Sequence, residues 1–395
     1  MIPKGEVLLA HSLLPYRQGA VLTRDLIRIN PPSIGREEIE AVTEVLKSGV
    51  LTDKSGMGPY VTEFERNIAN YLGSKHAIAL SSGTGALHGA ILAAGVQPGD
   101  EVIIPSFTFA GCASAIVMAG AVPVFADIDR ETYCITDETI QRVVTRKTKA
   151  IMPVHLYGLP CDLKPIYDFA NERDLAVIED ASQALGSMYD GQKVGALSSL
   201  ACFSLYPSKN ITTGEGGVVA TNQEEMGEAL RMIRSHGEQR PYWIVRQGHN
   251  YHMTEIAAAI GLVQLRKLPT FLERRRTNAQ SLRERLQLSG KLILPRDVDK
   301  RRHAWNLFTV RLRGVNAGKR NKIVEKLWGK NIHVAVYYQP PIHSTPFYRT
   351  RFPARKGDLL ETERASRQVF SLPIHPKLTE SDIEYMAEVM KKVVA

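Results

Sequence analysis

Seven short apolar runs constrain this chain more than any other feature. They are His76 to Leu80, Val102 to Ile104, Val122 to Phe125, Ala150 to Val154, Ala176 to Ile178, Leu200 to Leu205 and Val218 to Ala220. Helix-length segments, such as Ala86 to Ala94 and Leu163 to Glu172, separate most of them. Strands buried on both faces read as continuous apolar runs rather than alternating ones. The rhythm therefore predicts an α/β fold, with a three-layer, mostly parallel sheet covered by helices.

The rhythm changes toward the C-terminus. A long helical stretch runs from about Thr254 to Leu286, and Pro269 inside it predicts a kink or a division. Beyond Leu292, the runs Leu307 to Leu312 and His333 to Tyr338 read as strands, and Arg320 to Trp328 and Ser381 to Val394 as helices. This predicts a smaller C-terminal α+β domain. The boundaries expected are an N-terminal extension over 1–27, a large domain over 28–270 and a small domain over 271–395.

Composition excludes several classes. Hydrophobic residues make up 44% of the chain, enough for a sizeable core. Four cysteines without a CxxC pair predict neither a structural zinc site nor a disulfide framework, and suit a reducing cytoplasm. No metal is expected. The charged residues Lys4, Glu6 and Arg17 flank only a short apolar stretch, unlike a secretory signal. Val102 to Ala126 carries no charge and is long enough to span a bilayer, but Pro105, Gly111, Gly120 and Pro123 break it into strand, helix and strand. The net charge of +9 attracts anions. Its densest cluster, Arg274 to Arg276 with Arg283 and Arg285, reads as a solvated helix face, and charge alone does not separate nucleotide-like ligands from nucleic acid.

Three motifs fall at the ends of apolar runs. Ser81-Ser82-Gly83-Thr84-Gly85-Ala86-Leu87 follows a strand and opens a helix, which makes a phosphate cup from backbone N–H groups and the Thr84 hydroxyl. A tight turn explains it equally well. The next glycine, Gly89, lies one place too far for a dinucleotide fingerprint, and no GK[ST] follows. Asp180 ends the run Ala176 to Ile178 and its Glu179, where ligands bind in open α/β sheets. It could pair with a protonated pyridine nitrogen or merely cap a helix. Lys209 stands between a buried run and the turn Gly214-Glu215-Gly216-Gly217, where desolvation makes an amine nucleophilic. Alone it reads equally as a loop lysine. Ser204, five residues earlier, can serve the same phosphate.

A cup, a carboxylate and a late lysine occur in the order used by pyridoxal-phosphate enzymes of the aspartate aminotransferase type. More specifically, the chain resembles the DegT-like sugar-nucleotide aminotransferases. The resemblance rests on Pro32 to Ile39, Ser82 to Leu87, Pro105 to Phe109, Glu179 to Ala184, Tyr206 to Asn210, Gly214 to Gly217, Gly248 to Glu255 and Leu372 to Pro376. It implies an aspartate aminotransferase-like large domain binding pyridoxal 5'-phosphate. By that resemblance Lys209 forms the internal aldimine and moves the proton, and Asp180 pairs with the pyridine nitrogen. Gln183 lies near the ring hydroxyl, where some relatives have histidine. Phe109 stacks on the ring, and Gly83, Thr84 and Ser204 hold the phosphate. Asn250 reaches the cofactor of the neighbouring subunit, making a homodimer with a shared site. His249 and His252 stand where relatives often carry tyrosine and arginine, facing either substrate or solvent. Tyr338 and His343 belong to a segment like the family's sugar-side segment.

The implied reaction moves an amino group from an amino acid, L-glutamate by preference, to a keto group of a nucleotide-linked deoxysugar through pyridoxamine phosphate. No nucleic acid or membrane partner is implied. The rivals are a sugar-nucleotide dehydratase, which replaces the lysine with histidine, and a regulatory or sensory protein on the same fold. A nicotinamide dehydrogenase would need the absent glycine spacing.

Overall fold

The computed structural model describes residues 25–287, 290–354 and 358–395. The N-terminal stretch around Lys4, Glu6 and Arg17 lies outside the described residues.

The apolar runs form one seven-stranded sheet. Its strands are β1 (His76–Leu80), β2 (Glu101–Pro105), β3 (Val122–Ala126), β4 (Thr148–Ile151), β5 (Ala176–Asp180), β6 (Leu200–Ser204) and β7 (Gly217–Thr221). The spatial order is β1-β7-β6-β5-β4-β2-β3. Only β7 is antiparallel to its neighbours; the other pairs are parallel. Successive side chains go to opposite faces, as the strand period requires. Ile78 and Leu80 of β1, with Val102, Ile104, Ile178 and Val219, pack under the helices Gly83–Ala93, Ala110–Met118 and Glu224–Arg234. Ala77, Ala79, Phe203, Val218 and Ala220 pack on the other face, against Pro59–Leu72 and the start of Glu255–Leu286. The uncharged stretch from Val102 is thus strand, helix and strand, and no helix among the described residues is long and apolar enough to cross a membrane. All four cysteines are free and buried.

A second core gathers around the antiparallel strands Leu292–Ile293, Phe308–Leu312 and Val369–Leu372. Helices Ala317–Trp328 and Glu380–Val394 cover it. Ile27 packs there too and bridges to Ile332.

Three expectations are corrected. Of the kink or division expected at Pro269, the division does not occur: Glu255–Leu286 is one continuous helix. Proline within a helix costs about 3 kcal/mol. Here Leu262, Leu265 and Leu268 are buried in one core and Ala279, Leu282 and Leu286 in the other, so packing at both ends outweighs that cost. His333 to Tyr338 is not a strand: Ala335 makes a single bridge to Ser371, and the chain then turns toward Pro340 and Pro341, which cannot donate to a ladder. Finally, Arg275 is not on a solvated face. It is 2% exposed and donates to the carbonyls of Trp305 (3.1 Å) and Asn306 (3.4 Å) and to Asn30 Oδ1 (2.8 Å). Burial pulls its pKa down to about 9.

Candidate active site

The C-terminal ends of β1, β2, β5 and β6 open on one side of the sheet, where open α/β folds bind ligands. A cavity of about 490 Å³ lies there, within the usual size of a cofactor site. Its lining includes Gly83, Thr84, Phe109, Asp180, Gln183, Ser204, Lys209 and Tyr338, residues drawn from places far apart in the chain.

One wall is the start of the helix Gly83–Ala93. Ser82 caps it, accepting from Gly85 N–H at 3.0 Å. The first-turn amides of Gly83 and Thr84 have no carbonyl within the helix to bond, and the helix dipole adds positive potential. Glycine at 83 is needed for close approach: a Cβ there would lie 2.8 Å from Ser204 Cβ and 3.0 Å from Ser204 Oγ. The Ser204 hydroxyl therefore shares a narrow space with the helix N-terminus, an arrangement able to hold a phosphate group.

Asp180 ends β5 and is 5% exposed. Its Oδ1 accepts from Ser182 N–H at 2.9 Å, and its Oδ2 from the Cys112 thiol at 2.8 Å. Burial, then the Asp180 charge, push the Cys112 thiol up, so it remains a donor. Neither partner is a cation, and a buried carboxylate calls for one. The sequence reading missed Cys112, because a buried cysteine in an apolar helix looks like packing.

Lys209 follows β6 on a braced turn. Its N–H donates to Tyr206 carbonyl at 2.9 Å. The Ser208 carbonyl accepts from Asn306 (3.2 Å) and from Asn30. Asn210 is buried and donates to the Leu185 (3.2 Å) and Ala304 (3.1 Å) carbonyls. Arg275 bonds both Asn30 and the Asn306 carbonyl, so the arginine read as solvated props the lysine turn from behind. Among the described residues the Lys209 amine makes no hydrogen bond or ion pair. Burial lowers its pKa, and the nearby Asp180 charge opposes that in part.

Phe109 stands at the mouth, 61% exposed, with its ring 6.3 Å from that of Tyr338. Gln183 and Tyr338 face the cavity joined to each other, Gln183 Nε2 donating to Tyr338 Oη at 2.9 Å. Two expected residues lie elsewhere. Asn250 is exposed, in a bridge with Ser235, outside the lining of this subunit's cavity. His343 also lies outside the lining. Its Nδ1 pairs with Ser106 Oγ at 2.7 Å, and its N–H donates to the same oxygen at 3.1 Å, which ties the 341–344 segment to the end of β2. His249 stacks on Tyr251 (5.0 Å between rings), and His252 pairs with Ser235 Oγ at 2.9 Å. Neither lines the cavity.

The sheet order and this cavity fit a fold type I transaminase, and the family and solved structures that the chain resembles are of that class. The chain belongs to the DegT/DnrJ/EryC1/StrS aminotransferase family, whose model matches residues 32–391. It is 37% identical over 375 residues to the GDP-perosamine synthase of Caulobacter vibrioides, covering 94% of this chain and 99% of that one. It is 38% identical over 350 residues to a pleiotropic regulatory protein of Geobacillus stearothermophilus, covering 88% and 92%. Among solved structures, the putative sugar aminotransferase Spr1654 of Streptococcus pneumoniae in its PMP-form superposes with a TM-score of 0.88 at 29% identity, covering 93% and 98%. A PLP-form of the same protein matches equally well.

Proposed function

We propose that this transaminase binds pyridoxal 5'-phosphate in the cavity and moves an amino group from an amino acid, L-glutamate by preference, to a keto group of a nucleotide-linked deoxysugar. One observation carries this reading: among the described residues, a lysine amine with no hydrogen bond or ion pair, a buried carboxylate whose hydrogen-bond donors are both neutral, and a glycine-backed helix N-terminus line one cavity. Those are the groups that an aldehyde, a pyridinium and a phosphate call for. When bound, the cofactor supplies an aldehyde and an electron sink.

The chain's own residues do the rest. The amides of Gly83 and Thr84, with the Thr84 and Ser204 hydroxyls, hold the phosphate. Phe109 covers one face of the ring, and Gln183 flanks the ring hydroxyl. Asp180, fixed by Ser182 N–H and the Cys112 thiol, keeps the pyridine nitrogen protonated. Lys209 would attach the cofactor and, once displaced, its neutral amine would carry a proton from the donor carbon to the cofactor carbon, and in the second half-reaction from the cofactor carbon to the acceptor carbon. A lysine here favours amine transfer over the dehydratase reading, in which histidine stands at this position.

Asn250 serves the neighbouring subunit's cofactor, so the active unit is a homodimer. Its exposure outside its own cavity supports this. So does the run Tyr242 (81% exposed), Trp243 (55%), Ile244 (66%) and Val245 (49%), an apolar patch of the kind that interfaces cover.

Two experiments test the reading. Glutamate should bleach the visible band of the cofactor-loaded enzyme, and one member of a panel of keto-sugar nucleotides should restore it. No recovery with any member would contradict the substrate class. Mixing inactive Lys209→Ala subunits with Asn250→Ala subunits should raise activity above either alone. Strict additivity would remove the shared site.

A further inference from the structure

Gln183 is held at both ends of its amide. Its Oε1 accepts from the backbone N–H of Tyr157 at 2.6 Å. Its Nε2 donates to Tyr338 Oη at 2.9 Å. An N–H can only be met by the carbonyl oxygen, so the amide has one permitted orientation. Tyr338 must then accept from Gln183, which leaves its own O–H to donate elsewhere. Among the described residues that proton has no acceptor, and Tyr338 lines the cavity beside Lys209 and Asp180.

Tyr157 sets the polarity. It holds a left-handed backbone conformation (φ 59°), uncommon for a bulky residue and kept only where the surroundings enforce it. Its hydroxyl donates to the Tyr337 carbonyl, so one residue grips both Gln183 and the segment that carries Tyr338. Next to it, Gly158 (φ 100°) leaves no room for a side chain: a Cβ there would meet the backbone carbonyl oxygen of Gln183 at 2.9 Å.

We infer that Tyr157, Gln183 and Tyr338 form a relay of fixed direction that presents the Tyr338 O–H as a donor to an electron-rich oxygen in the cavity, with Gln183 a positioning residue that acts through Tyr338. The inference rests on the proposed cofactor reading. Burial, first, and the neighbouring Tyr337 raise the Tyr338 pKa, so it stays protonated across the working pH range. The acceptor is the ring hydroxyl oxygen of the cofactor or the keto oxygen of the substrate; the chemistry is the same. A histidine at this position would keep the relay. A neutral imidazole can accept on one nitrogen and donate from the other, which preserves the direction.

Three variants test this: Tyr338→Phe removes the donor, Gln183→Met removes the relay at similar volume, and Gln183→His keeps it. Each is loaded with pyridoxal phosphate, and the pH midpoint of the visible band is measured without substrate. A donor to an anionic oxygen favours the anion, so its loss should raise the midpoint by about one pH unit in Tyr338→Phe and Gln183→Met. Gln183→His should titrate like the wild type. That pattern assigns the ring oxygen. Unchanged spectra with about a 10- to 100-fold fall in kcat/KM for the amino acceptor, again rescued by histidine, assign the substrate oxygen. If Tyr338→Phe moves neither quantity, or Gln183→His behaves like Gln183→Met, the relay is overturned. Wild-type protein that takes up no cofactor would instead refute the reading beneath it.

Discussion

The floor and the rim of the cavity are built differently. On the floor, Lys209, Asp180 and Gln183 are each fixed by partners from distant parts of the chain: Asn30, Asn306 and Arg275 behind the lysine turn, Ser182 and Cys112 on the carboxylate, Tyr157 on the amide. At the rim, Phe109 is 61% and Tyr206 49% exposed; outside the cavity lining, the apolar run from Tyr242 to Val245 is exposed as well. The partners named for these floor residues all belong to the same chain. The rim presents exposed apolar surface. Groups that do chemistry need positions fixed to fractions of an ångström, whereas groups that recognise a partner gain their order on binding.

This contrast ranks the expected effects of substitution. Lys209→Ala should be the most damaging, abolishing covalent attachment and lowering turnover by roughly four orders of magnitude. Turnover within tenfold of wild type would remove the lysine from the floor. Asp180→Asn should retain cofactor yet lose about 10²- to 10³-fold in rate. It should also shift Lys209. Burial favours the neutral amine, so attachment should titrate below the ordinary lysine value of 10.5, rising with pH. The Asp180 charge works against this, and its removal should move the midpoint lower still. A rise would contradict the electrostatics.

Arg275→Met should act on the fold rather than the chemistry. It leaves Asn30 and the Trp305 and Asn306 carbonyls without their donor, and should cost about 2–4 kcal/mol in urea unfolding. Cofactor affinity should fall with it, because the same residue braces the Lys209 turn. Phe109→Ala should do the least to the fold, within about 0.5 kcal/mol, while weakening cofactor binding about tenfold. A large loss of stability there would erase the difference between floor and rim.

Much of this was legible in the chain itself. Apolar runs bounded by glycine, proline and polar turns mark strands whatever their neighbours are, and all seven runs entered the sheet. Residues at strand ends were legible for the same reason: Asp180 and Lys209 follow runs that the sheet brings side by side. What the chain did not reveal depends on contacts across long sequence distances. Arg275 sits in a helix beside Arg274 and Arg276 and has the look of solvated charge. The approach of Asn30, 245 positions away, and of the Trp305 and Asn306 carbonyls gives it internal partners. His333 to Tyr338 has strand composition but borders prolines and bridges only once. His343 resembles a site residue by segment, yet its ring is spent on Ser106. Cys112 and Tyr157 carried no signal at all, because a thiol on a carboxylate and a backbone N–H on an amide are properties of the fold.

The attachment point of the cofactor tests the central claim most directly. Protein incubated with pyridoxal phosphate is reduced with borohydride, digested and mapped by mass spectrometry. The account predicts a pyridoxyl group on the peptide containing Lys209, lost in Lys209→Ala. A label on another lysine, or none on the wild-type protein, would contradict it.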